Sequence, residues 1–288
     1  MNENKSIHFE KIKKTFEGRC AICGKLSKLT YDHIPPRGCG NAGTVIISEY
    51  LKGNSKTISQ NGTKRRSICS FCNNTLLGTQ YDPSLISLVK QITQAVSYRE
   101  NSSLYWSDKI KVSVDILCLT KSVIGHILAC DFADTYPVDY IKKPYYGSMI
   151  DFVLDKEKRA LDNYEIYYWY YPYGQQKMLR HFAIAQFLHG NALLSASKPI
   201  QGHILKFFPI AFWAVYQKPK EHKINLCKIN LPNCPLEIIN NEIELDIKTP
   251  LPETFPENPQ DDCIALFNSH YAQISDKILQ KDIRGQNG

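Results

Sequence analysis

Four cysteines fall into two Cys-x-x-Cys pairs, Cys20/Cys23 and Cys69/Cys72. Zinc prefers four thiolates in a tetrahedron, and two intervening residues let one turn of chain offer both sulfurs to the same ion. The pairs therefore predict one structural zinc held by Cys20, Cys23, Cys69 and Cys72. Residues 19–80 are rich in Gly, Ser, Asn, Thr and Cys and have only short apolar runs, so a unit built from them needs a metal staple to fold. Structural zinc supplies apparent binding energy of about 10–16 kcal/mol, enough for that task. The other cysteines, Cys39, Cys118, Cys130, Cys227, Cys234 and Cys263, lack such pairing and read as free thiols.

Between the pairs runs Leu29-Thr30-Tyr31-Asp32-His33-Ile34-Pro35-Pro36-Arg37-Gly38, and the second pair opens Ile68-Cys69-Ser70-Phe71-Cys72-Asn73-Asn74-Thr75-Leu76-Leu77-Gly78. An Asp-His dipeptide between zinc knuckles, with Asn directly after the second knuckle, resembles the HNH endonuclease family and its ββα-metal core. The resemblance covers roughly residues 18–82, under a quarter of the chain. It implies a one-metal phosphodiester hydrolase that leaves 5′-phosphate and 3′-hydroxyl ends. In that scheme His33 is the general base, and Asp32 and Asn73 are the oxygen ligands of a catalytic Mg2+ or Mn2+; Asn74 is the alternative to Asn73. The residue types suit the chemistry. Histidine as a side chain titrates near neutral pH and can take a proton from water, and a hard cation on few protein oxygens leaves positions open for phosphate.

The chain departs from the family at two points. The position five before Cys69, where the family places an asparagine that orients the histidine, is Lys64, so Asn61 or a backbone carbonyl must do that work. Neighbouring strand residues also point to opposite faces, so Asp32 and His33 share a site only if the chain bends there, with Pro35-Pro36 as the means. Arg37, Lys64, Arg65 and Arg66 flank the centre and are read as phosphate contacts.

The elements that must position these residues are few. His8 to Glu17 reads as a short helix stopped by Gly18. Asp82-Pro83 supplies an N-cap and a proline at the first helical position. The helix beyond, to about Tyr98, carries Leu85, Leu88, Val89, Ile92 and Val96 along one stripe. Lys109 to Leu119 alternates like a strand, and Thr120 would cap a helix through about Ala133, with His126 as an interior histidine. Strands are expected at Tyr164–Tyr171, Phe182–Leu188, His203–Tyr216, Ile224–Leu231 and Ile243–Ile247. A Pro- and acid-rich loop, 249–262, precedes a final helix near Cys263–Leu279. The aromatic tract from Tyr164 carries no Lys or Arg and is read as a core strand rather than a base-stacking platform. The fold class is α+β: a small zinc-stabilised ββα-metal domain (1–82), a connecting helix (83–100) and a larger, strand-rich domain (101–288).

Charge and hydropathy bound the function. The chain of 288 residues has net charge +7. Residues 1–80 carry 13 Lys and Arg against five acids, while the remainder is close to neutral; the basic surplus coincides with the proposed centre and attracts polyanions. The longest apolar run, Phe207–Tyr216, is far short of the roughly 20 residues of a membrane helix, and the amino terminus lacks the apolar core of a signal peptide. The expectation is a cytoplasmic, metal-dependent endonuclease, with DNA a better candidate partner than RNA and no membrane partner. A role as a gated bacterial defence effector is the expected context, with residues 101–288 recognising a protein partner or ligand. The rival reading is a non-catalytic, zinc-dependent nucleic-acid-binding protein.

Overall fold

The computed structural model describes residues 17–49, 56–101, 107–130, 144–186, 194–195, 199–218, 220, 223–231, 241–258, 263–266 and 272–277. The helix expected at His8–Glu17 lies outside them, apart from Glu17. The strands are β1 (Glu17–Arg19), β2 (Leu26–His33), β3 (Val45–Glu49), β4 (Lys56–Ser59), β5 (Lys64–Cys69), β6 (Lys109–Ser113), β7 (Tyr164–Tyr170), β8 (Gln176–Gln186) and β9 (Leu194–Ser195). They continue as β10 (Ile200–Phe207), β11 (Ile210–Tyr216), β12 (Lys223–Ile224), β13 (Cys227–Lys228), β14 (Glu242–Asp246), β15 (Cys263–Leu266) and β16 (Ala272–Lys277). Among the described residues, three α-helices, α1 (Asp82–Glu100), α2 (Ile116–Ala129) and α3 (Pro144–Leu154), complete an α+β fold, and every paired strand there is antiparallel.

The zinc-knuckle segment forms a three-stranded sheet in the order β1-β2-β5. A wide-wound π-helical stretch, Phe71–Tyr81, follows β5 and runs into α1 without a break. The second large element is a nine-stranded sheet in the order β13-β7-β11-β10-β8-β16-β3-β4, with β15 also on β8. Strands β3 and β4 come from the amino-terminal quarter, yet β16 stitches them to β8. Residue 82 is therefore not a boundary between sheets.

The aromatic tract is core. Along β7 and just beyond it, Tyr164, Ile166 and Tyr168 face the helices, while Tyr167, Trp169 and Tyr171 pack on the other side with Phe182, Trp213 and Phe255. A strand buried on both faces has no polar alternation to show. The helix-facing core runs without interruption from Cys20, Ile22 and Leu29 through α1 and α2 to Phe207 and Phe212.

Several expected elements differ. The helix α2 begins at Ile116, because Asp115 caps it by accepting a hydrogen bond from the Cys118 N–H at 2.9 Å; the strand before it stops at Ser113. His203–Tyr216 is a hairpin, β10 and β11, turning at Phe208-Pro209. Helix α3 was not foreseen. The final helix is replaced by β15 and β16, where pairing to β8 and β3 outweighs local helix propensity. The 249–258 loop is fastened from beneath: Lys206 Nζ lies 2.5 and 2.6 Å from the two Glu257 carboxylate oxygens and 2.8 Å from the Glu253 and Phe255 carbonyls.

Candidate metal centre and histidine site

The two knuckles meet. The ligand atoms of Cys20, Cys23, Cys69 and Cys72 all lie within 4.8 Å of one another, with Cys23 Sγ 3.8 Å from Cys69 Sγ. Four thiolates at the usual zinc–sulfur distance of about 2.3 Å stand about 3.8 Å apart along a tetrahedron edge, so the group can hold a metal ion such as zinc. Hydrogen bonds among the thiols lower the pKa of Cys23, through Cys20 and Cys72, and raise that of Cys20, so that the group readily carries negative charge toward a metal. Turn geometry sets up the first knuckle, with Gly24 in the left-handed region at φ 70° and its N–H bonded to the Cys20 carbonyl at 2.8 Å. No other group of three or more His, Cys, Asp and Glu side chains among the described residues is this compact.

Strand alternation sorts the remaining candidates. Tyr31 pairs with Arg66, Asp32 with Arg65 and His33 with Lys64 across β2 and β5. Successive residues face opposite sides, so Tyr31, His33, Lys64 and Arg66 share the outer face while Asp32 and Arg65 turn inward. Tyr31 is exposed, Asp32 buried and His33 half-buried, which follows this rule. The chain does not bend between Asp32 and His33: β2 runs straight through both, and its irregularity falls earlier, between Thr30 and Tyr31. Asp32 and His33 are thus not brought to one face.

His33 is oriented by backbone. Its Nε2 lies 2.8 Å from the Asn61 carbonyl oxygen. A carbonyl only accepts, so this nitrogen donates its proton and the neutral ring keeps its lone pair on Nδ1. The orienting group is the carbonyl of Asn61, a residue in the left-handed region at φ 62°. The loop that presents it is clamped by buried Asn41, whose Nδ2 donates to the Pro35 and Thr63 carbonyls at 2.7 and 2.8 Å while its Oδ1 accepts from the Thr63 N–H at 2.7 Å. Gly62 is required there, since a Cβ would fall 2.4 Å from the Asn41 carbonyl oxygen.

Asn73 faces the strand and Asn74 does not. Asn73 Nδ2 donates to Thr30 Oγ1 at 3.0 Å and to the Tyr31 carbonyl at 2.8 Å, whereas Asn74 turns back to Ser70 Oγ. Both bonds of Asn73 use its nitrogen, which leaves Oδ1 for a donor or a cation. Arg37 is exposed on a short 3-10 turn, Arg37–Cys39. Arg65 sits inward near Cys130 and Glu49, and burial pulls its pKa below the ordinary value; it is not placed to meet a phosphate on the outer face.

Asp32 is engaged by a residue 94 positions away. The imidazole of His126, fully buried on α2, places Nδ1 3.2 Å from Asp32 Oδ2 and Nε2 2.9 Å from Asp82 Oδ1. Ser122 Oγ adds a 2.7 Å hydrogen bond to the same Asp82 oxygen. The contact to Asp82 is a hydrogen bond, while that to Asp32 is electrostatic and less well aligned. Burial alone would lower the His126 pKa; the two carboxylates outweigh it and raise it to about 10. Gly125 lets α2 come this close, since a Cβ there would sit 2.4 Å from Leu77 Cδ2 on the π-helical stretch. The donor set foreseen for Mg2+ or Mn2+ therefore does not assemble: Asn73 is available, but an imidazolium occupies the space beside Asp32 and repels a second cation.

Sequence reasoning named the cysteines, His33 and Asn73 but missed Tyr31, Asn41 and the Asp32–His126–Asp82 group. Asp82, expected as an N-cap, makes no cap hydrogen bond: it continues the helical run from Phe71, and its carboxylate turns to Ser122 and His126. No protein-family model matches the chain, and no curated protein or solved structure matches it. No helix among the described residues is long and apolar enough to cross a membrane.

Proposed function

We propose that the chain is a nucleic-acid phosphodiester hydrolase of the HNH type with a structural zinc, acting on DNA in preference to RNA in the reducing cytoplasm. The observation that carries the reading is His33: half-buried near the end of β2, its Nε2–H tied to a backbone carbonyl, with Lys64 directly across the sheet. An imidazole so held directs the Nδ1 lone pair outward, where it can take a proton from a water aligned with a phosphate. Lys64 and Arg66 on the same face hold phosphate oxygens, and Asn73 offers an amide oxygen from the adjoining helix. Asp32 is committed to His126, so no step is routed through magnesium or manganese.

The test is cleavage of plasmid, single-stranded DNA and RNA by full-length protein, with and without added Mg2+ or Mn2+. His33→Ala is expected to lower the rate at least 100-fold, the usual share of a general base, while zinc content stays unchanged. A His33→Ala sample that cuts like wild type overturns the assignment.

A second reading is favoured by one contact. With Asp32 paired to His126, the protein would bind nucleic acid without cutting it. Binding would then fall steeply with salt and be indifferent to Mg2+ and to Asp32→Ala, and no cleavage would appear with any cation.

A further inference from the structure

We infer that Tyr31 is a stacking platform for an unpaired base, so that the ligand at this face is single-stranded nucleic acid. The inference rests on the reading that His33 faces a phosphodiester. Tyr31 and His33 lie two residues apart on one strand face, about 6.6 Å along the chain, and a base on the first therefore neighbours a phosphate at the second. Tyr31 is 48% exposed, and its backbone carbonyl is fixed by Asn73. Two cations from β5 lie over its ring, the Arg66 guanidinium carbon 4.2 Å and Lys64 Nζ 5.4 Å from the ring centre, so a base stacks on the part of the ring that they leave exposed.

That combination selects a ligand by chemistry. An exposed aromatic ring recognises a flat π-face, and the cations beside it recognise negative charge. A nucleotide carries both within one residue. In a duplex the bases are stacked on each other and must be extruded to reach a side chain, so a duplex meets Lys64 and Arg66 only through its backbone. Tyr31 then contributes to single-strand binding and almost nothing to duplex binding. The buried aromatic tract of β7 has no such access, since Tyr164, Tyr167, Tyr168, Trp169 and Tyr171 are all core residues.

The experiment measures fluorescence anisotropy of labelled oligo(dT), oligo(U) and a mixed-sequence duplex with full-length His33→Ala protein, which removes the general base. Adding Tyr31→Ala is expected to weaken both single strands about tenfold, as loss of one stacked base does, and to change duplex affinity less than twofold. Tyr31→Phe should restore the single-strand affinity. Unchanged zinc content and melting temperature establish that the variants are folded. Lys64→Ala should weaken single strand and duplex alike and reduce the salt slope, the mark of a phosphate contact. Equal effects of Tyr31→Ala on single strand and duplex, or none on either, overturn the stacking role. If wild type cuts and His33→Ala does not, that failure touches Tyr31 alone; if no nucleic acid binds at all, the nuclease reading falls and this inference with it.

Discussion

Replacing Cys72 with serine is expected to cost the chain its bound metal and to unfold the β1-β2-β5 sheet with the start of the π-helical stretch. Cys72 is fully buried and belongs to the four-sulfur group. A serine oxygen there is a poor zinc ligand, and the apparent ~10–16 kcal/mol of structural zinc binding is the largest single stabilising contribution available to so small a unit. The unit's own core, Ile22, Leu29, Ile34, Ile68 and Leu76, is worth roughly 1.5–3 kcal/mol per side chain, and ordering the chain opposes most of that. The loss should not stay local. The same core continues into α1 and α2, and Ser67 Oγ bonds the Ala129 carbonyl at 2.5 Å while Tyr81 OH bonds the Val153 carbonyl at 3.1 Å. Metal analysis should give one ion per chain for wild type and none for Cys72→Ser, with a melting transition that is lowered and broadened. Treatment of wild type with a strong chelator should reproduce that transition. A Cys72→Ser protein that keeps both its ion and its melting temperature would refute a four-thiolate site.

What could be read from the chain and what could not divide along a physical line. Local chemistry was legible. The spacing of Cys20 and Cys23 has one economical explanation and the stripe from Leu85 to Val96 has helical period, whereas Asp82-Pro83, read as a helix start, stands inside a helical run that already begins at Phe71. Pairings at long range were not. Nothing near Asp32 announces a partner on α2, because His126 lies in an apolar run and its two carboxylates converge only after Gly125 lets the helices touch. The end of the chain shows the same limit: residues 272–277 become a strand because β8 and β3 both present edges to β16, and that is a property of the sheet rather than of the segment. For the site, strand alternation already sets Asp32 and His33 on opposite faces, but which of the two faces inward follows only once β2 and β5 are paired. The register that pairs them is tertiary information.

Replacing His126 with glutamine is expected to destabilise the fold by about 3–5 kcal/mol, because it removes the cation that two buried carboxylates share. Asp32 and Asp82 have 6% and 10% of their side-chain surface exposed, and His126 none, so water cannot take over the compensating role. The destabilisation should be read by denaturant midpoint at pH 6, where the wild-type imidazolium is fully charged. Its sign with pH follows from the direction of the shift. The folded pKa of about 10 lies above the ordinary 6.5, so the ion pair contributes fully below pH 6.5, and its contribution falls away as pH rises through 10. The gap between wild type and His126→Gln should therefore narrow between pH 6.5 and 10. Combining His126→Gln with Asp32→Asn and Asp82→Asn should recover much of the loss, since an uncharged trio leaves no charge unpaired and coupled sites are non-additive. A gap that is absent at pH 6, or constant to pH 10, would show that the three side chains do not act as an ion group. Mn2+ titration of the single His126→Gln variant, which keeps the Asp32 and Asp82 carboxylates, against wild type reports whether that imidazolium is what keeps a hard cation away from them.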